Sequence, residues 1–380
     1  MSKAAELAKM GEWLSNGQIG GRRNVLINGE FNVSQRYGET ATTWTNNSYG
    51  LDRWKMYLAG SCASTFQQIR RSDSVVTNLQ SVSGVNFRNA IEIDCTTAAS
   101  LGSTDQMSLL QIIEGTNNVP LAGKKMTLSF WVRSSLTGTY CIAFKNSSAK
   151  TYVHEYSISS ADTWEQKVVT ITNDTEASFS SNSSTTTGGS LEVHFGLRLG
   201  TSSQQTTANA WNSGNFYGTS NQVTWGTSTD HFFYLAGVQL ELGSQATPFE
   251  HKSYAEELTL CERYFEVIFD ASKTTGDFSS YYPYAALGHG YKTDQINSMW
   301  FFKTHKRAAG GTFTCVSSSS NYAYKNHSTS KTNSVIATAT QNIEIDRMLT
   351  YLSTSGVTEQ SGWTLFLLNS ACRATLDTEL

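Results

Sequence analysis

Residues able to do chemistry are thinly and irregularly placed in this 380-residue chain. Its seven histidines, His154, His194, His231, His251, His289, His305 and His327, stand far apart with no metal-ligating spacing. Each reads as a surface or hydrogen-bonded side chain. Two carboxylates flanking a glycosidic bond can hydrolyse it, one as acid and the other as base or nucleophile. Glu155, Glu192 and Glu241 lie in or near strand-like segments, yet nothing in their spacing pairs any two. The sequence contains no GxSxG, HExxH, P-loop or GxGxxG pattern. Six cysteines (Cys62, Cys95, Cys141, Cys261, Cys315, Cys372) form no CxxC pair, so buried free thiols are expected rather than zinc or a disulfide framework. No catalytic residue, metal ligand or cofactor is assigned.

Aromatic rings beside polar loops are the more promising feature. Trp211, Phe216, Tyr217 and Trp225 fall in a stretch rich in Gly, Ser, Thr and Asn. An exposed ring stacks on the apolar face of a sugar while neighbouring amides bond its hydroxyls, so these four are the candidate glycan contacts. The same residue types also anchor protein interfaces or fill β-sandwich cores. Core filling is the reading for Trp54 and Trp131.

The elements that must position these rings read as strands. Charged residues make up 16% of the chain, aromatics 12%, and there are only 3 prolines. A typical chain has about a quarter charged residues, and the replacement by Thr, Ser and rings suits pleated surfaces. KKMTLSFWVRSS puts Met126, Leu128, Phe130 and Val132 on one face and Trp131 and Arg133 on the other. TYCIAFKN, EQKVVTITN and GSLEVHFGLRLG alternate likewise, which predicts an all-β antiparallel sandwich or jelly roll with no helix between its strands. Residues 1–23 form a helical docking or oligomerisation segment, with Leu7, Met10 and Leu14 at helical spacing. Such a short helix needs a partner, and packing of three copies around those residues is expected. Residues 24–250 form the main domain and 251–265 a connecting helix, where Ser253 and Glu256 fit a capping box and Leu258, Cys261 and Phe265 share a face. Residues 266–380 form a smaller β-sandwich domain. A net charge of −3 without a basic cluster argues against nucleic acid. No run of 18 apolar residues argues for a membrane span.

Three segments together carry a resemblance: NVLINGEFNVSQRYG (24–38), YGLDRWKMY (49–57) and LAGVQLELGSQATPFEHKSYAEELTLCERYFEV (235–267). They resemble virion appendage proteins of tailed bacteriophages, including marine phages, that carry a jelly-roll module like carbohydrate-binding modules. The resemblance implies a structural virion protein made in the bacterial cytoplasm, most often a trimeric tail fibre or receptor-binding subunit attaching to host-surface polysaccharide. It also implies partners among other virion proteins. A capsid decoration, head fibre or other tail protein is the alternative, and a glycan depolymerase ranks behind both. Val25–Ile27 would be the opening strand, Gly29 the positive-φ residue of a bend, and Phe31–Val33 core. Arg53 and Trp54 would pack inward, and Glu241 would pair with Arg36 or Arg53. Such modules often bind a structural calcium through an acidic residue after the NGxF phenylalanine. Asn32 stands there instead, with Glu30 and Glu241 the oxygens nearest to hand.

Overall fold

The computed structural model describes residues 23–60, 62–174, 189–270, 284–292, 295–315, 322–326, 332–334, 337–344, 346–353, 362–367 and 373–379. Leu7, Met10 and Leu14 lie outside them. The chain divides into two compact units, Met1–Glu257 with Leu380, and Leu258–Glu379.

The first unit is a β-sandwich of two antiparallel sheets with jelly-roll crossings. One, six-stranded, runs β1 (Thr42–Thr43), β4 (Thr65–Arg71), β5 (Ala90–Thr97), β13 (Phe232–Leu242), β7 (Lys125–Ser134) and β10 (Glu165–Thr172). The other, seven-stranded, runs β12 (Trp211–Ser213), β9 (Lys150–Ile158), β8 (Gly138–Asn146), β11 (Gly189–Leu199), β6 (Gln106–Glu114), β3 (Lys55–Ala59) and β2 (Ser48–Tyr49). Alternation along each strand sends one set of side chains between the sheets. Leu128, Phe130 and Val132 thus meet Val193, Phe195 and Ile142 in one core. Phe130 and Phe195 join the two layers edge to face at 5.2 Å. Cys95, Cys141 and Cys261 are buried free thiols and Cys62 is half-buried.

A helix missed in the sequence, α1 (Ser74–Ser83), lies over the outer face of the six-stranded sheet. Asp73 caps its start by accepting from Val75 N, and Gly84 in the left-handed region ends it. Val76 and Leu79 pack there with Phe87, Trp164 and Tyr234, and Trp131 joins this small second core from the sheet. Its Val-Val pair and serines disguise it as loop or strand.

The opening motif is not a strand. Residues 24–33 form a strap held mainly by side chains. Asn24 Oδ1 accepts from Leu26 N at 3.1 Å and Leu240 N at 3.0 Å, while its Nδ2 donates to the Val238 carbonyl at 2.9 Å. Positive φ falls on Asn28, at 59°, and on Phe31, at 58°, and not on Gly29. Asn28 sustains that conformation by bonding Val33 N at 3.0 Å and the carbonyls of Val33 and Asp52 at 2.8 and 2.9 Å. Gly29 is needed for a different reason: a Cβ there would lie 2.1 Å from the Val238 carbonyl oxygen. Trp54 Nε1 donates to the Asn28 carbonyl at 2.9 Å, and its ring lies 5.2 Å from Phe31. Phe31 and Val33 are core, and Arg53 and Trp54 are buried. The three motif segments are therefore one mutually locked cluster. Glu241 does not pair with either arginine: it accepts from Thr247 N, Thr247 Oγ1 and Gln239 Nε2, while Arg36 meets Asp52 at 3.2 Å.

In the second unit, strands β14 (Phe265–Asp270), β23 (Arg373–Asp377) and β17 (Thr312–Cys315) form one sheet. A seven-stranded sheet runs β19 (Thr332–Ser334), β18 (Tyr322–Asn326), β22 (Gly362–Leu367), β15 (Tyr284–Lys292), β16 (Gln295–Phe301), β21 (Arg347–Ser353) and β20 (Ala337–Ile343). Lys306 is buried against Glu266 and the Glu262 carbonyl. Helix α2 (Tyr254–Glu262) carries the expected capping box, with Ser253 Oγ 2.7 Å from Glu256. It ends before Phe265, which begins β14, so the expected Leu258–Cys261–Phe265 helical face does not form.

Candidate functional site

The outer face of the first unit's seven-stranded sheet carries a groove of about 250 Å³. Strand register builds it. Lys55 pairs across to Leu110, which pairs to His194, which pairs to Ala143. In the adjacent rows Tyr57 lies opposite Ser108, and Ile112 opposite Glu192, itself opposite Lys145. Gly196 admits the loop that brings in Tyr217, since a Cβ there would lie 3.1 Å from the Tyr217 carbonyl oxygen. That loop is pinned by Tyr217 N donating to Ser203 O at 2.8 Å and Gln205 N to Gly218 O at 2.8 Å. Asn47, Asn215, Gln106 and the half-buried Tyr57 complete the lining.

A hydrogen-bonded chain runs along the floor. Lys145 Nζ lies 3.2 Å from Glu192, Glu192 lies 2.7 Å from His194 Nε2, and His194 Nδ1 lies 3.1 Å from Ser108 Oγ. Burial opposes ionisation of Glu192, but the His194 hydrogen bond and the Lys145 charge hold its carboxyl down to about 2. Burial lowers the His194 imidazole in spite of Glu192, leaving it neutral at pH 7. Neutral His194 then donates from Nε2 to Glu192 and accepts the Ser108 hydroxyl at Nδ1. Burial also lowers the Lys145 ammonium, but Glu192 and Tyr217 outweigh it and raise the pKa. Burial raises the Tyr217 phenol. Ser–His–Glu is the order of a hydrolase relay. Ser108 is 0% exposed, however, so its hydroxyl meets no substrate, and the chain serves to orient Glu192 and Lys145.

The four candidate glycan contacts are not brought together in one place, although Phe216 and Tyr217 share one small cluster. Tyr217 lines the groove, its ring 4.6 Å from His194 and 6.5 Å from Tyr57. Trp225 is 0% exposed, stacked on Phe66 at 5.5 Å within the core. Trp211 is half-buried on β12, its ring beside Tyr152 and its Nε1 donating to the Thr172 carbonyl at 2.9 Å. Phe216 packs on a small cluster with Cys141, Val153 and Leu199. His194 is hydrogen-bonded, as expected of each histidine, but its place in the groove and those of Lys55, Tyr57 and Lys145 are not among the sequence expectations. Their signal was the period-two placement of polar residues in WKMY, AFKN and LEVHF.

The two oxygens nearest to hand for calcium are occupied by protein donors. Glu30 accepts from Arg88 N, Asn32 Nδ2 and His251 Nδ1 at 3.0, 3.1 and 3.2 Å. Glu241 is taken by Thr247 and Gln239. Among the described residues no group of three or more His, Cys, Asp or Glu side chains is placed to hold a metal.

No protein-family model matches the chain, and no curated protein matches it. Among solved structures it is similar to the enzymatically active domain of tailspike protein 4 of bacteriophage CBA120, at 13% identity and a TM-score of 0.30. That match covers 58% of this chain and only 21% of the tailspike chain. A carbohydrate-binding module, TmCBM61, solved with β-1,4-galactotriose, is similar at 9% identity and a TM-score of 0.30, over 58% of this chain and 99% of its own. A family 11 carbohydrate-binding module of a Clostridium thermocellum cellulase is similar at 10% identity and a TM-score of 0.27, over 56% of this chain and 100% of its own.

Proposed function

We propose that the first unit binds a glycan, without catalysis, in the groove on its seven-stranded sheet. The observation that carries this reading is the half-buried Tyr57 ring set beside Tyr217 within a lining of amides, lysines and one carboxylate. A ring of this kind covers the apolar face of a sugar, and the polar groups around it bond equatorial hydroxyls. In the setting implied by the sequence resemblance, the chain is a bacteriophage tail fibre or receptor-binding subunit that attaches to host-surface polysaccharide, commonly as a trimer with other virion proteins.

The test is affinity electrophoresis of the full chain through gels holding a panel of bacterial surface polysaccharides. Tyr57→Ala is expected to weaken the best binding by at least about tenfold, or about 1.4 kcal/mol, with an unchanged unfolding midpoint. Equal retardation of a folded Tyr57→Ala protein would remove the groove as the binding site. Antibody labelling of intact virions bears on the setting: label on the tail supports host attachment, and label confined to the capsid replaces it with a decoration role.

A further inference from the structure

The geometry points to a covalent modification that the second unit makes in itself: Lys306 Nζ condenses with the Glu266 carboxyl to an internal amide, with loss of water. Glu266 stands on β14, and Lys306 lies between β16 and β17. Their side chains are 0% and 1% exposed, and Nζ donates to Glu266 Oε2. That contact holds Nζ within about 3.5 Å of Cδ, the separation of a near-attack conformer. A second bond aims the nitrogen, to the Glu262 carbonyl at 2.5 Å, and the Phe302 ring closes over it at 5.1 Å. The other carboxyl oxygen, Oε1, accepts from Lys303 N at 3.2 Å.

Each contact has a place in the reaction. Burial lowers the Lys306 ammonium in spite of Glu266 and Glu262, which favours passing a proton to Glu266 Oε2. A neutral amine then faces a carboxylic acid. The amine lone pair adds to Cδ, and the charge developing on Oε1 meets the Lys303 N–H already bonded there. The Cδ–Oε2 bond breaks, Oε2 leaves as water with a second proton from the nitrogen, and one N–H stays on the amide. The atoms balance without an oxidant or a further reactant. The product replaces two buried charges, each costly to desolvate, with one neutral group. The Lys145–Glu192 pair of the first unit marks the contrast. Its side chains are 21% and 23% exposed and its ammonium pKa is raised, so that pair keeps its charges.

Intact-mass measurement of the full chain, unfolded in acid, tests the bond. The chain is expected to weigh one water less than its sequence requires. A protease digest is expected to yield a branched peptide joining the segments that hold Glu266 and Lys306. Lys306→Met should have the full mass of its own sequence. On a denaturing gel it should run apart from the wild type, in which a tie between residues 40 positions apart survives unfolding. The branched peptide is read from the wild type alone, so the test stands even where the variant folds poorly. Full sequence mass with no branched peptide overturns the bond and leaves an ordinary buried ion pair. A missing water that persists in Lys306→Met, or a branch joining other residues, overturns it as well.

Discussion

The two outer faces of the first unit's sandwich start from the same strand alternation and end differently. On the six-stranded sheet the outward residues include Tyr234, Trp131 and Ala236, which are apolar enough to demand a cover, and α1 supplies it. On the seven-stranded sheet the outward residues include the polar Lys55, Glu192, His194 and Lys145 beside the apolar Ala143 and Val153, over which the loop carrying Tyr217 lies. One face is thus covered by a helix and the other carries the groove. The ionisable groups show the same split. At the edge of the covered face, burial and then the neighbouring Glu92 push the Asp94 carboxyl up to about 6. On the open face, Glu192 is held at about 2 by its partners.

Three experiments sharpen or break this contrast. Leu79→Ala removes a fully buried side chain from the covered face and is expected to cost about 2–4 kcal/mol in urea unfolding. Glycan affinity should stay within about twofold; a large affinity loss would mean that the faces are coupled.

Glu192→Gln tests the open face through pH. The folded carboxyl sits below its ordinary value, so its stabilisation is present above about 4.5 and lost as pH falls towards about 2. The wild type should therefore lose stability more steeply than the variant across that window. At pH 7 the variant should be less stable by about 1–2 kcal/mol, because Lys145 loses its counter-charge. Parallel acid curves would show that Glu192 is not held as the geometry requires.

Asp94→Asn has the smallest effect and the opposite sign. A carboxyl raised to about 6 in the folded state destabilises progressively as pH rises from its ordinary value through 6. The half-buried site is partly screened, so the variant should be more stable by about 1 kcal/mol at pH 8 and no different below pH 4. A loss of stability at pH 8 would mean that the charge is needed there.

The β-sandwich class, the core face of KKMTLSFWVRSS and the capping box at Ser253 were legible because each depends on neighbours within a few residues. Alternation sends Met126, Leu128 and Phe130 inward wherever the strand sits. The motif segments also announced their importance, though as an opening strand that the structure replaces with a strap held by Asn24 and Asn28 side chains. The groove was not legible. Tyr57, Gln106, Lys145 and His194 lie on four strands whose adjacency is a matter of crossing order, and no local pattern encodes that β3, β6, β11 and β8 are neighbours. Nor does local sequence distinguish Trp225 in the core from Tyr217 in the groove, eight residues apart in one polar loop region. Sequence alone determined which side of each strand a residue takes, because that follows from backbone geometry. Only the tertiary structure decided which of the two outer faces was covered and which outward residues met, because both depend on long-range pairing of strands and on where one short helix comes to rest.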